Sequence, residues 1–374
     1  MSKSRIIIAL FIVGVVALFA VIYARQAKTT GVLPVVTHKD VSGKSTDENT
    51  PSRDDEVSDG STSQTLLSKE LLVVQPQGVN LLQNSTNGGA HPLHRYTDIV
   101  FDSTNSHKDI VYKSTYHTKF LTEGEDYSID YNLTSPTDLK LNVYEPSGDS
   151  LAHRPLLIFV YGGGWIFGDR YQQEEAAIDY ARRGYVTMTL DYTMMPPDIA
   201  IEPPVPDPDY SVYSWLMYNS SNDIYEAYSW ALQHSDVYRI DPDRVGLGGW
   251  SAGGVLVNTL GHMNVSPEPT GIKGILGISG VLPAGLVNVP PLSGWRVFDA
   301  DYHPASMFAS YDEDTGYGGT ANDHAADCEY LTSIGHDCTT VTFAGPGHLL
   351  WFDQPPVQDY AIDFFATHVA GYSL

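Results

Sequence analysis

Residues Gly249-Trp250-Ser251-Ala252-Gly253 follow the pattern G-x-S-x-G. A serine is presented as a nucleophile when it sits on a sharp strand-to-helix turn with unfavourable backbone angles. Glycines two residues before and after it let neighbouring backbone pass without a Cβ clash. Glycine-serine turns are common, so the flanks decide the reading. RVGL before the motif reads as a strand, and AGGVLVNTL after it starts a helix whose first N–H groups point at a reacting oxygen. A dinucleotide fingerprint beginning at Gly246-Leu247-Gly248 is the competing reading. It fails because its third glycine position is Ser251 itself, and no acid-bearing strand end follows at the expected distance.

A second glycine cluster, Tyr161-Gly162-Gly163-Gly164-Trp165, directly follows the apolar run LLIFV. Three glycines leave backbone N–H groups unshielded, so two of them can donate to the oxyanion of a tetrahedral intermediate. Taken alone the triplet is a tight turn; beside a serine elbow downstream, the oxyanion role is the better account.

These segments together resemble the α/β-hydrolase family, specifically carboxylesterases related to hormone-sensitive lipase and bacterial esterases of the feruloyl and acetylxylan type. The resemblance covers about residues 110 to 370 and rests on YGGGWIFGDR, RGYVTMTLDY, IDPDRVGLGGWSAGG and GPGHLLWF. The family usually opens the oxyanion segment with His where this chain has Tyr161, a position that packs behind the glycines, so the departure bears on substrate preference. The resemblance implies the order serine, acid, histidine. His348 in GPGHLLWF lies in a loop after an expected strand, from which an imidazole can reach Ser251 and take its proton. His324 and His336 are rivals, one within an expected helix and the other at its end. For the acid, Asp314 fits the family spacing best and Asp312 next. The resemblance also implies an oxyanion hole made by the N–H groups of Gly163, Gly164 and Ala252. Such a site works through an acyl-enzyme and needs no cofactor, and no clustered His/Cys spacing indicates a metal.

The elements that must position these residues follow an alternating pattern. Expected strands are Leu139–Tyr144, Leu156–Val160, Tyr185–Leu190, Arg244–Gly248, Ile272–Ile278, Ser306–Ala309 and Thr339–Phe343. Expected helices are Gln172–Arg183, Asp223–His234, a helix from Ala252, Asn322–Ile334 and Val357–His368. Apolar strands alternating with helices indicate an α/β fold, a mostly parallel sheet covered on both faces. Two stretches, about 194–222 and 283–304, break the rhythm; the first is rich in proline and aromatic residues. Insertions of this kind commonly cap such a site.

The N-terminus reads as a short cytoplasmic segment, 1–5, then an uncharged apolar run, Ile6–Tyr23, of 18 residues, near the lower limit for a bilayer-spanning helix. An uncleaved anchor is expected rather than a signal peptide, because Ile22-Tyr23-Ala24 is a poor cleavage site. The thin excess of positive charge before it places the rest of the chain outside the cytoplasm. Residues 24–70 are polar and lack apolar periodicity, as a flexible tether would, and 71–374 form the hydrolase domain. A net charge of −24, from 45 acidic and 21 basic residues, excludes a nucleic-acid backbone as partner. Cys328 and Cys338, ten residues apart, are either one disulfide or two buried thiols.

The expected function is that of a membrane-tethered serine esterase acting on a small-molecule ester. A serine peptidase of the same fold would usually carry a large extra domain, for which the tether leaves no room. A silent hydrolase fold used for binding commonly loses the serine or the histidine, and this chain keeps candidates for both.

Overall fold

A computed structural model describes residues 94–116, 119–123, 126–130, 136–195, 210–262, 269–283, 303–314, 319–348 and 351–372. The expected anchor, the tether, about half of the first irregular insertion (196–209) and most of the second (284–302) lie outside the described residues.

In chain order the elements are β1 (Thr104–Tyr116), β2 (Lys119–Glu123), β3 (Asp126–Asp130), β4 (Pro136–Pro146), β5 (Arg154–Val160), a short 3₁₀ turn (Arg170–Gln173), α1 (Glu174–Arg182) and β6 (Val186–Leu190). Then come α2 (Tyr210–Gln233), α3 (Ser235–Tyr238), β7 (Ile240–Trp250), α4 (Ala252–His262), β8 (Ile272–Ile278), β9 (Ala305–Tyr311), α5 (Ala321–Ser333), β10 (Cys338–Phe343) and α6 (Gln358–His368). Eight strands form one sheet in the order β1-β4-β6-β5-β7-β8-β9-β10, and β2 pairs with β3 as a separate hairpin. β4 is antiparallel to both its neighbours, and every pairing from β6 through β10 is parallel. This is the α/β-hydrolase fold.

Why β5 is a continuous apolar run is visible in its packing. Leu156, Ile158 and Val160 point to one face, into a core shared with Leu216, Ile224 and Ala227 of α2 and Val255, Leu256 and Leu260 of α4. Leu157 and Phe159 point to the other, against Ala177, Tyr180 and Ala181 of α1 and Phe364 and Phe365 of α6. Side chains alternate across a strand, so only a sheet covered on both faces buries every one.

Two features differ from the sequence expectation, and a third resolves what it left open. α2 begins at Tyr210, inside the stretch expected to be irregular: the prolines end at Pro208, and beyond them Trp215, Leu216 and Met217 are buried. β1 was not expected as a strand, because register shifts between His107 and Ile110 and between Val111 and Lys113 break its alternation, and it is a largely exposed sheet edge. Cys328 of α5 and Cys338 of β10 form a disulfide, which resolves the open choice.

Candidate active site

Parallel strands all end on one edge of the sheet, and the residues with reactive chemistry sit just past those ends. The turn after β5 carries Gly162–Gly164, β7 leads into Ser251, β8 into Ser279, β9 into Asp314 and β10 into His348. Open α/β sheets place ligands at this edge.

Ser251 lies between the last residue of β7 and the first of α4, at φ +55°. A left-handed conformation is unusual for a residue with a Cβ and costs about 1–2 kcal/mol. The surrounding structure imposes it: the Ser251 N–H donates to the Ile278 carbonyl at 2.8 Å, and its own carbonyl accepts from the Val255 N–H at 3.0 Å. The tightness of the elbow explains the flanking glycines. A Cβ on Gly253 would fall on the Val160 and Tyr161 carbonyl oxygens at the end of β5.

His348 Nε2 stands 2.8 Å from Ser251 Oγ, and its Nδ1 lies 3.0 and 3.2 Å from the two carboxylate oxygens of Asp314. Asp314 is 1% exposed, and its second partner is Ser279, whose Oγ–H donates to Oδ2 at 2.6 Å. A carboxylate only accepts, so Nδ1 carries the proton and the Nε2 lone pair faces the serine hydroxyl. Asp312 faces away, accepting from the Gly345 N–H at 2.8 Å. His324 and His336 are both buried elsewhere: His324 Nδ1 pairs with Ser310 Oγ at 3.0 Å, and the His336 ring packs on His262 and His303.

The glycine turn after β5 is held by backbone geometry. Gly163 and Gly164 have φ +121° and +61°, and the Gly163 carbonyl closes the turn by accepting from the Ile166 and Phe167 N–H groups. Among the described residues no backbone acceptor takes the N–H of Gly163 or Gly164, and the Ala252 N–H lies at the open start of α4. Behind the turn, the Tyr161 ring stacks on Tyr192 at 4.4 Å, and the Tyr192 hydroxyl donates to the Tyr161 carbonyl at 3.0 Å. Burial, with Asp191 nearby, pushes the Tyr161 phenol well above its ordinary pKa, so it stays neutral. Deeper still, Asp223 of α2 accepts from the Thr193 N–H and from Lys113 Nζ, and burial raises its pKa despite that lysine.

Two residues at the site escape a motif reading. Ser279, at φ +50°, directly follows β8, whose last residue Ile278 pairs with Trp250 at the end of β7, and a serine just past a strand end on this edge was the available signal. Trp250 occupies the free position of G-x-S-x-G, where no residue type is demanded. Among the described residues no group of three or more His, Cys, Asp or Glu is placed to hold a metal ion.

Comparison with known proteins follows the same lines. Residues 141–270 match the family model BD-FAE. A carboxylic ester hydrolase, LipN, of Mycobacterium tuberculosis is 32% identical over 34% of this chain and 30% of its own length. Arylacetamide deacetylase of Bos taurus is 27% identical over 40% of this chain and 34% of its own. The matches thus span about a third of the length of these curated relatives. Among solved structures, esterase 2 of Thermogutta terrifontis phosphonylated by cyclosarin aligns over 66% of this chain and 90% of its own, with 18% identity and a TM-score of 0.47. The chain has the α/β-hydrolase fold, and the matched part of it is similar to a carboxylic ester hydrolase and to an arylacetamide deacetylase.

Proposed function

We propose that this protein is a serine carboxylesterase that cleaves a small-molecule ester through an acyl-enzyme. The observation that carries the reading is the unbroken line from Ser251 Oγ through the His348 imidazole to the buried Asp314 carboxylate. Ser251 Oγ attacks the ester carbonyl while His348 Nε2 takes its proton. The N–H groups of Gly163, Gly164 and Ala252 stabilise the developing oxyanion. The imidazolium, steadied by Asp314, then protonates the departing alcohol, and a water activated by His348 releases the acid and regenerates Ser251. The activities for which the sequence relatives are named, ester hydrolysis and deacetylation, support the same chemistry.

The disulfide supports an extracytoplasmic placement, since such bonds persist in oxidising compartments; tethering through residues 6–23 belongs to the same proposal. Among the described residues no helix is long and apolar enough to cross a membrane. Protease shaving of intact cells, releasing the folded domain only if it lies outside, checks the placement.

The activity is tested by assaying the full chain and Ser251→Ala against nitrophenyl esters of increasing acyl length. Hydrolysis by the wild type and none by the variant is expected, whereas equal rates sink the mechanism. Asp314→Asn and Asp312→Asn in the same assay separate the two carboxylates: the first should be crippled and the second nearly normal.

A further inference from the structure

We propose that Trp250 is a positioning residue for the reaction: its indole fastens the His348 loop to the oxyanion turn and so keeps the imidazole in line with Ser251. The proposal rests on the esterase reading of the site.

Three observations converge on this one side chain. First, the indole Nε1–H donates to the backbone carbonyl of His348 at 3.0 Å. An indole N–H is a donor with a single direction, so the bond sets both the height and the lateral position of the residue that carries the imidazole. Second, the rings of Trp250 and His348 lie 6.2 Å apart, and Trp351, three residues further along the chain, packs on Trp250 at 5.0 Å. One indole therefore contacts the chain at both His348 and Trp351. Third, the other side of the ring lies under the oxyanion turn: a Cβ on Gly162 would come within 2.7 Å of Trp250 Cε3. One rigid side chain touches the turn before Gly163 and the loop that bears His348, while its own backbone leads directly into Ser251.

The loop needs such a fastening. His348 follows β10, an edge strand whose residues are half-buried or exposed, and the chain between them contains Gly345, Pro346 and Gly347. Asp314 restrains the far side of the imidazole through Nδ1, but a bond to the ring leaves the backbone free to rock about it. The indole bond restrains the backbone itself. Trp250 is 5% exposed, and the bland account is that it fills the core beside Phe352. That role calls for an aromatic ring. It does not call for an N–H aimed at the carbonyl of the base.

The experiment therefore separates ring from N–H in the full-length protein. Trp250→Phe removes the donor and trims the ring. Replacement of Trp250 by benzothienylalanine keeps the shape of the bicycle and removes only the N–H. Each is measured for Tm, for kcat and KM on a nitrophenyl ester, and for the low-field proton resonance of His348 Nδ1–H, assigned by its absence in His348→Gln. With the benzothienyl protein folded at wild-type Tm, kcat should fall about tenfold or more, because small misplacements of a base are costly. KM should stay within twofold, and the His348 resonance should broaden or disappear. Trp250→Phe should show the same split with a somewhat lower Tm. Unchanged kcat and an unchanged resonance in the benzothienyl protein overturn the proposal, as does a loss confined to Tm. If the wild type hydrolyses no ester yet the resonance is present and vanishes with the indole N–H, the esterase reading fails while the positioning role stands.

Discussion

The two glycine-rich turns at the site use the same residue for different reasons. In the elbow around Ser251 the strained backbone belongs to the serine, at φ +55°, and Gly253 is needed because the end of β5 passes where its side chain would be. In the turn after β5 the glycines themselves take left-handed angles, and a Cβ on Gly163 would collide with the Phe167 carbonyl of the same turn. The elbow glycine is thus a contact between two elements of the core, whereas the glycine of the turn after β5 is a matter internal to that one turn. Identical composition conceals a difference between what holds the sheet together and what shapes a hydrogen-bonding surface.

Substitutions can break or sharpen that contrast. The largest effect is expected at the elbow serine: Ser251→Ala should lower kcat by about 10⁴-fold or more. Ser251→Gly should be equally inactive yet more stable than Ser251→Ala by about 1 kcal/mol, because only glycine is at ease at that φ. Thermal melts of the two variants decide whether the elbow stores strain. Next come the glycines. Gly253→Ala should cost about 3 kcal/mol by pushing α4 off β5 and abolish activity with it. Gly163→Ala should also lower Tm, because its Cβ meets the Phe167 carbonyl at a left-handed φ, but the strain stays within the turn and α4 remains seated on β5; in the folded protein kcat should fall about 10²–10³-fold, the usual consequence of a spoiled oxyanion donor. Wild-type kcat in folded Gly163→Ala would erase the distinction.

A smaller effect is expected behind the acid. Ser279→Ala deprives the buried Asp314 carboxylate of its second donor and should reduce kcat about tenfold and lower Tm by a few degrees. The smallest concerns α5, outside both turns. Burial pushes Asp327, which accepts from the Leu282 N–H, up to about 7, with Asp323 adding to the shift. In the unfolded chain the same group loses its proton near pH 4. The folded state therefore holds the extra proton between those values, and stability from this group is full below about pH 4 and lost as pH rises towards 7. Asp327→Asn should flatten that decline and raise Tm at pH 8 by about 2–4 °C, a shift equivalent to roughly 1 kcal/mol.

Legibility in the sequence followed the physics of each element. Strands β5 and β8 are apolar on both faces and bounded by glycine or polar residues, so their limits could be read closely. The polar, bulged β1 carries no such signature, nor does the β2–β3 hairpin. α2 was read as starting at Asp223 because a window that averages Pro196–Pro208 with Trp215–Met217 masks the apolar stripe in its second half. At the site, motif and family order group Ser251, Asp314 and His348, and the structure places His348 within hydrogen-bonding distance of the other two. Family spacing ranks Asp314 ahead of Asp312, and the geometry agrees: Asp314, in the turn where its N–H bonds to the Tyr311 carbonyl, faces the imidazole. Ser279 and Trp250 act through directions of side-chain bonds, which no spacing rule encodes.

The disulfide between α5 and β10 has a consequence for how the site is distributed along the chain. Asp314 precedes that helix and His348 follows that strand, so the proton-handling pair sits at the two open ends of a single stapled crossover. Ser251 and the glycine turn after β5 belong to an earlier stretch, ending with α4. On the proposed mechanism the site is a seam between an electrophile-binding half and a proton-relay half. The two meet along the β7–β8 pairing, at the Ser251–His348 hydrogen bond and at the Trp250 indole bond, among other contacts.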